Sequence, residues 1–375
     1  MAEHVNENAV NPFLRMFIPL KGDTAAALIR KIVVLACVAT VIVCGIVVIS
    51  DYATRNADKA ANAALAEMVD QNADGNFSVG EQKMLQIKEE SALTVVNNNG
   101  EVVKKEILDK FVDLYAENSD LVGWIKVGHY INYPVLMNED DTEYYLYRDF
   151  YGNSSNTGSI FCDNHVLPFT NANNLVIYGH DMASGEYFGK LLCYDPYASH
   201  GGGLNFNGDF IGYYQEYPTI QFDTLWEEGT YKIFAGIYIN TEDKDGYPYP
   251  YYRKRVFLNE LEFMDFMGNI MDRSMFYTGV DVEYGDQIIT LSTCCYTIGK
   301  DVDARFALFA RKVREGEDPS VDVSKIEINP DPLFFDTYYS RMGGSWGGRS
   351  WDLSLVKDFD KYTDQIDSLD EKEPR

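Results

Sequence analysis

The sequence predicts a mainly β globular domain, a sandwich or a barrel, carried behind a single membrane-spanning helix. Three observations predict it. Seven short β-type runs separated by turn residues occupy the region between about Tyr130 and Val313. A run of 19 residues without a charge, Ile32 to Ser50, stands near the N-terminus. One helical pattern, residues 258–274, interrupts the strands.

Taken in order, "IVVLACVATVIVCGIVVIS" is long enough to cross a hydrocarbon core as a helix, and longer than the apolar part of a cleaved signal peptide. Arg15, Lys21, Arg30 and Lys31 precede it and Asp51 follows. The positive-inside rule then places residues 1–31 in the cytoplasm and the remainder outside the cell. The Ala-rich "ATRNADKAANAALAEMVDQ" reads as helix, and "VVNNNGEVV" as a hinge or tight turn. In "KEILDKFVDLYAEN", Ile107, Phe111, Val112 and Leu114 fall at helical spacing. The β-type runs are "YINYPVLM", "TGSIFCD", "NLVIYGH", "YPTIQFD", "YKIFAGIYIN", "QIITLSTC" and "RFALFARKV". The helix "LNELEFMDFMGNIMDRS" lies between the fifth and sixth. Beyond Glu315 the chain is acidic, with aromatics and a "GGSWGGRSW" stretch.

Composition narrows the function. The net charge of −26 over 375 residues excludes an ordinary nucleic-acid binder. The 46% hydrophobic and 14% aromatic content supports a substantial core. Six cysteines are present, but their spacing matches neither a disulfide framework nor a zinc site. Cys294 and Cys295 are adjacent, and a ring closed between neighbours is strained.

"DQNADGNFSVGE", Asp70 to Glu81, fits the EF-hand calcium loop. Asp70, Asn72, Asp74, Asn76, Ser78 and Glu81 occupy the ligand positions, and Gly75 the sharp turn. Calcium takes many hard oxygen ligands, which gives this acidic spacing a reason. The expectation is a Ca2+ loop between two helices, structural and outside any chemistry. The alternative is a plain polar turn.

A candidate thiol centre lies further on. Alternation along "DQIITLSTCC" puts Thr290, Ser292 and Cys294 on one face and Leu291, Thr293 and Cys295 on the other. The Leu291 face is the more apolar, which favours Cys294 as the accessible thiol. A thiol nucleophile needs a proton-transfer partner and a stabiliser of developing negative charge. His180 follows a buried-looking strand, where a rigid element would carry it. His4 falls in the expected cytoplasmic tail, and His129, His165 and His200 occupy turn-like contexts. Arg305 opens the strand after the cysteines, and its planar fork of donors suits an oxyanion. A surface arginine paired with Asp301 or Asp303 is the competing reading.

Together these pieces resemble a class B sortase. "TLSTC" with Arg305 eleven residues on is similar to the family's cysteine-to-arginine signature, and "NNLVIYGHDMASGEYFGKL" to its histidine segment. "ENSDLVGWIKV", "YYLYRDFYGNSSNTGSIFCD" and "YPTIQFD" match the family's habit, and the 258–274 helix is similar to the class B insertion. The likeness covers residues 105–314. It implies a closed eight-stranded sortase barrel with an N-terminal helix. It also implies a cysteine transpeptidase with Cys294 as nucleophile, His180 as the acid that protonates the leaving amine, and Arg305 on the substrate backbone and oxyanion. The partners implied are exported proteins bearing a C-terminal sorting signal and an amine acceptor, from a cell-wall precursor or a pilin lysine, on the outer face of a Gram-positive membrane. No cofactor is implied for catalysis. The alternative is a non-catalytic barrel that binds peptide or cell wall.

The expected organisation is therefore a cytoplasmic tail (1–31), a transmembrane helix (32–50), a helical stalk with the calcium-type loop (51–104, loop 70–81), the catalytic domain (105–314) and an acidic aromatic extension (315–375). Family members often end soon after the arginine strand, so the extension and the stalk loop stand outside the resemblance.

Overall fold

The computed structural model describes residues 16–20, 22–96, 100–165, 173–197, 209–242, 245–246 and 248–370. His4, His200 and part of the "VVNNNGEVV" turn lie outside them. The chain divides into two compact units, 1–61 and 62–375. In the first, α1 (Ala25–Ala73) begins as a helix long and apolar enough to cross a membrane. Its side chains there are unpacked: Val41 and Ile49 are each 71% exposed, which suits contact with lipid.

The second unit starts with the last residues of α1, then α2 (Glu81–Glu90) and a hairpin of β1 (Leu93–Val96) and β2 (Val102–Lys105). The short helix α3 (Val112–Glu117) precedes β3 (Leu121–Val127), β4 (Ile131–Leu136), β5 (Ile160–Cys162) and β6 (Asn174–Tyr178). There follow α4 (Phe210–Glu216), β7 (Thr219–Thr224), β8 (Thr230–Asn240), α5 (Glu260–Arg273), β9 (Phe276–Tyr277), β10 (Ile288–Cys294) and β11 (Ala304–Lys312). The extension adds β12 (Glu327–Ile328), which pairs with β9, and the helices α6 (Asp336–Met342) and α7 (Thr363–Asp370).

Eight strands close a barrel in the order β10-β11-β8-β7-β3-β4-β5-β6. The pairs β4–β5 and β6–β10 are parallel and the others antiparallel. Strand alternation explains the layering. On β11, Ala304, Phe306, Leu308 and Ala310 fill the interior, while Ala307 and Phe309 face an outer layer. On β10, Leu291 and the following Cys295 belong to the interior cluster. The helix expected at 258–274 forms as α5, capped by Asn259, whose side chain accepts from the Glu262 N–H.

Both flanks of the barrel pack against it. The expected stalk does not stand clear of the barrel. Leu65, Val69 and Ile87 are buried against Trp124, Leu136 and Phe161, so residues 62–91 form a layer of the second unit. The extension is likewise integrated. Trp351, Val356, Phe359 and Ile366 cover α5, and Asp272 of α5 takes hydrogen bonds from Trp351 Nε1 at 2.7 Å and Arg349 Nε at 3.0 Å.

The helix–loop–helix around residues 70–81 forms, and Gly75 has a left-handed φ of 81° as its position requires. Asn72 is 1% exposed and turned inward, its amide bonded to the Asp113 carboxylate at 3.0 Å and the Asn76 carbonyl at 3.1 Å. Asp113 also accepts the N–H groups of Ser78 (2.6 Å) and Val79 (3.1 Å), holding the turn from within the protein. Among the described residues no three His, Cys, Asp or Glu side chains converge as a metal site. Of the six positions of the calcium-type loop, Asn72 is buried, and Asp70, Asp74, Asn76, Ser78 and Glu81 lie at the surface.

Candidate active site

Backbone register builds the site. Cys294 is the last residue of β10 and stands directly opposite Arg305 on antiparallel β11. On its other side β10 runs parallel to β6, with Ser292 opposite Tyr178. From there β10 continues two residues to Cys294, while β6 ends and the chain runs on through Gly179 to His180, which lines the same cleft as Cys294. Gly179 N–H donates to the Ser292 carbonyl at 3.2 Å, and Thr293 Oγ1 donates to the Gly179 carbonyl at 2.8 Å. Those two bonds carry the pairing past the strand ends. His180, Cys294 and Arg305 all line one open cleft of about 470 Å³.

The vicinal cysteines separate as alternation requires. Cys294 is half-buried and faces the cleft. Cys295 is fully buried in the barrel interior, and burial pushes its thiol up to about 12. Its N–H donates to the Ala304 carbonyl at 3.0 Å, closing the first turn after the strand. Beneath Cys294, Ser292 Oγ and the buried Tyr251 hydroxyl are 2.6 Å apart, which fixes the outer face of β10. Tyr296 flanks the thiol; burial first and the neighbouring Cys294 second push its hydroxyl up to about 12.

His180 is held by a backbone group. Its Nε2 lies 2.8 Å from the Leu146 carbonyl. A carbonyl can only accept, so Nε2 carries the proton and Nδ1 is the nitrogen free for proton transfer. Gly158 makes this contact possible. It has φ +57°, and a Cβ there would overlap the Leu146 carbonyl oxygen. Tyr147 flanks the imidazole with ring centroids 5.7 Å apart.

Arg305 is partly buried, with its side chain 29% exposed. Its Nη1 donates to Asp303 Oδ1 at 2.6 Å and to the Ala304 carbonyl at 3.1 Å. Burial opposes its charge, but Cys294 and then Asp303 outweigh that and raise its pKa. The competing sequence reading thus holds in part: Asp303 does pair with Arg305, and it does so while the guanidinium lines the cleft. Asp301 pairs elsewhere, with Arg341.

Other cleft residues were not foreseen. Arg255 donates through Nε (2.9 Å) and Nη2 (2.5 Å) to Asp163 Oδ2, and His165 Nδ1 lies 2.7 Å from Asp163 Oδ1. These three line the cleft, with Glu143 and Tyr252. Asp163 and His165 directly follow β5 in "FCDNH", a signal that strand-end reasoning could have used. Nothing in the sequence pattern brings Arg255 to them from 92 positions away. His129 is bonded to the Tyr217 hydroxyl at 2.8 Å and is not among the cleft residues.

Comparison with known proteins found no matching family model. The chain is 31% identical to sortase B of Listeria monocytogenes over 193 residues, which is 51% of this chain and 70% of that protein. It is 28% identical to sortase B of Staphylococcus aureus over 193 residues, with the same shares of 51% and 70%. Among solved structures it is similar to sortase B from Bacillus anthracis in complex with AAEK2, at 27% identity and a TM-score of 0.45, covering 62% of this chain and 94% of that one.

Proposed function

Because this chain belongs to the sortase B family of transpeptidases, we propose that it is a membrane-anchored extracellular cysteine transpeptidase that joins exported proteins to an amine. The observation that carries this reading is the register. One antiparallel pair sets Cys294 against Arg305, and one parallel pair ends where His180 enters the same cleft.

In this mechanism the Cys294 thiol passes its proton to His180 Nδ1 as Sγ attacks a threonine carbonyl in the sorting signal, forming a C–S bond and, as the carbonyl π bond opens, a tetrahedral oxyanion. Arg305 stabilises that charge, its always-protonated fork needing no proton transfer of its own. As the C–N bond breaks, His180 gives a proton from Nδ1 to the departing amine, while Nε2–H stays on the Leu146 carbonyl and holds the ring. The resulting thioester is then attacked by the acceptor amine, which loses a proton to His180 and releases Cys294. The acceptor is a cell-wall precursor amine or a pilin lysine. The apolar part of α1 anchors the enzyme with residues 1–31 in the cytoplasm and the barrel outside. No metal takes part.

The test uses the full chain in detergent, a panel of sorting-signal peptides and a primary amine. A peptide thioester on Cys294, seen by intact mass, followed by an amide product is the expected result. Peptide binding without any thioester across the panel would make the protein a binding module instead.

A further inference from the structure

The Cys294–Arg305 connection is held by a part of the chain outside the barrel. After β11 the chain runs through β12 and returns in α6 to the connection between the nucleophile and the arginine. Phe334, Phe335 and Tyr338 enter the interior cluster that also contains Ile298 and Val302 of this connection. From α6, Arg341 Nη1 donates to the Ile298 carbonyl at 3.0 Å and to Asp301 Oδ1 at 2.9 Å, and Nη2 donates to Asp301 Oδ2 at 2.6 Å. This is a two-point fork on the carboxylate plus a backbone contact. Gly299 leaves room for it: φ is +137°, and a Cβ there would fall on Arg341 Nη1 and within 2.7 Å of Asp301 Oδ1.

A second tie runs from the same helix. Thr337 N–H donates to Asp245 Oδ1 at 2.7 Å, and Asp245 in turn takes the amide of Asn240, the last residue of β8. Next to Asn240, Thr241 N–H donates to the Asp303 carbonyl at 3.1 Å. Asp303 is the carboxylate on Arg305. Helix α6 therefore holds the connection directly through Arg341, and through Asp245 and the end of β8 it reaches Asp303, the partner of Arg305.

We propose that α6 of the C-terminal extension, through Arg341, is a clamp that positions the Cys294–Arg305 connection for catalysis. The proposal rests on the transpeptidase reading above. Arg341 is a positioning residue; it is not among the residues lining the cleft. Its ion pair with Asp301 is largely exposed, with side chains 37% and 72% accessible, so it contributes little to global stability. Reaction rate is more sensitive than stability to such a tie, because small displacements of a charge-stabilising group weaken the transition state steeply.

The experiment compares the full-length parent with Arg341→Ala, Arg341→Asp, Asp301→Arg and the reversed pair carrying both charge changes. Two readouts are taken: kcat and KM on the best peptide, and amide hydrogen exchange across residues 295–303, which needs no substrate. Arg341→Ala is expected to lower kcat about fivefold, the ceiling for an exposed pair, with KM within about twofold. Exchange across the connection should quicken while that of the β10 and β11 cores stays unchanged. The reversed pair should recover part of the kcat lost by Arg341→Asp. A change in KM alone, or unchanged exchange in 295–303, overturns the clamp. If the parent cleaves no peptide, the transpeptidase reading fails, and exchange alone then decides whether Arg341 holds the connection.

Discussion

Alkylation should distinguish the two adjacent cysteines by a margin that the structure sets. Thiolate, rather than thiol, is the nucleophile toward iodoacetamide. Burial raises the Cys295 thiol to about 12. At about pH 7.5 this leaves roughly one molecule in 30,000 ionised, against about one in ten for a free cysteine, a difference of ~3,000-fold. Its complete enclosure in the barrel slows reaction further. Cys294 lines the cleft and has access. The assay is timed labelling of the native full chain at about pH 7.5, followed by peptide mass mapping of the segment that holds both residues. One label on Cys294 is expected, with Cys295 reacting only after denaturation. In Cys294→Ala the native segment should stay unlabelled and thioester formation should be lost, while Cys295→Ala should retain most of the activity. Native Cys294→Ala protein that labels Cys295 at the rate of a free cysteine would refute both the burial argument and the assignment.

Three further outcomes are expected. Arg305→Lys keeps the charge but loses the fork, and should lower kcat at least about tenfold, or roughly 1.4 kcal/mol, in steady-state assays. Asp181, next to His180, has its carboxyl raised to about 6 by burial. The native state therefore holds this proton more tightly than the unfolded chain, and stability falls as pH rises from about 4 to about 6. Asp181→Asn should accordingly raise Tm at about pH 7.5, with the gain shrinking to nothing near pH 4; a pH-independent gain would disprove the linkage. Trp351 is 5% exposed, stacks edge-on against Phe359 at 4.8 Å and donates to Asp272. Trp351→Ala should cost about 3–5 kcal/mol in denaturant unfolding, whereas loss of an extension that merely trailed from the barrel would cost nothing.

Local pattern carried much of this protein. The period of two along β10 separates Cys294 from Cys295 before any neighbour is known, because facing is a property of consecutive peptide units. The 3.6-residue pattern of α5 and the uncharged run of α1 are local in the same sense. The β-type runs around Ile160, Val176 and Phe306 became strands for that reason too. Pairing partners are another matter. Nothing in "NLVIYGH" states that it lies parallel to "IITLS", yet that pairing is what brings His180 and Cys294 into one cleft. The Leu146 carbonyl on His180, the Arg255–Asp163 pair and the return of Arg341 to the Cys294–Arg305 connection were equally invisible. The loop at 70–81 draws on a distant segment too. Its helix–loop–helix form follows the local spacing, while Asp113, 41 residues beyond Asn72, accepts the Ser78 and Val79 N–H groups from within the protein. Sequence periodicity reports which way a side chain points from its own backbone. What it meets there depends on surfaces assembled from distant segments, whose burial and hydrogen bonding exist only once the barrel has closed.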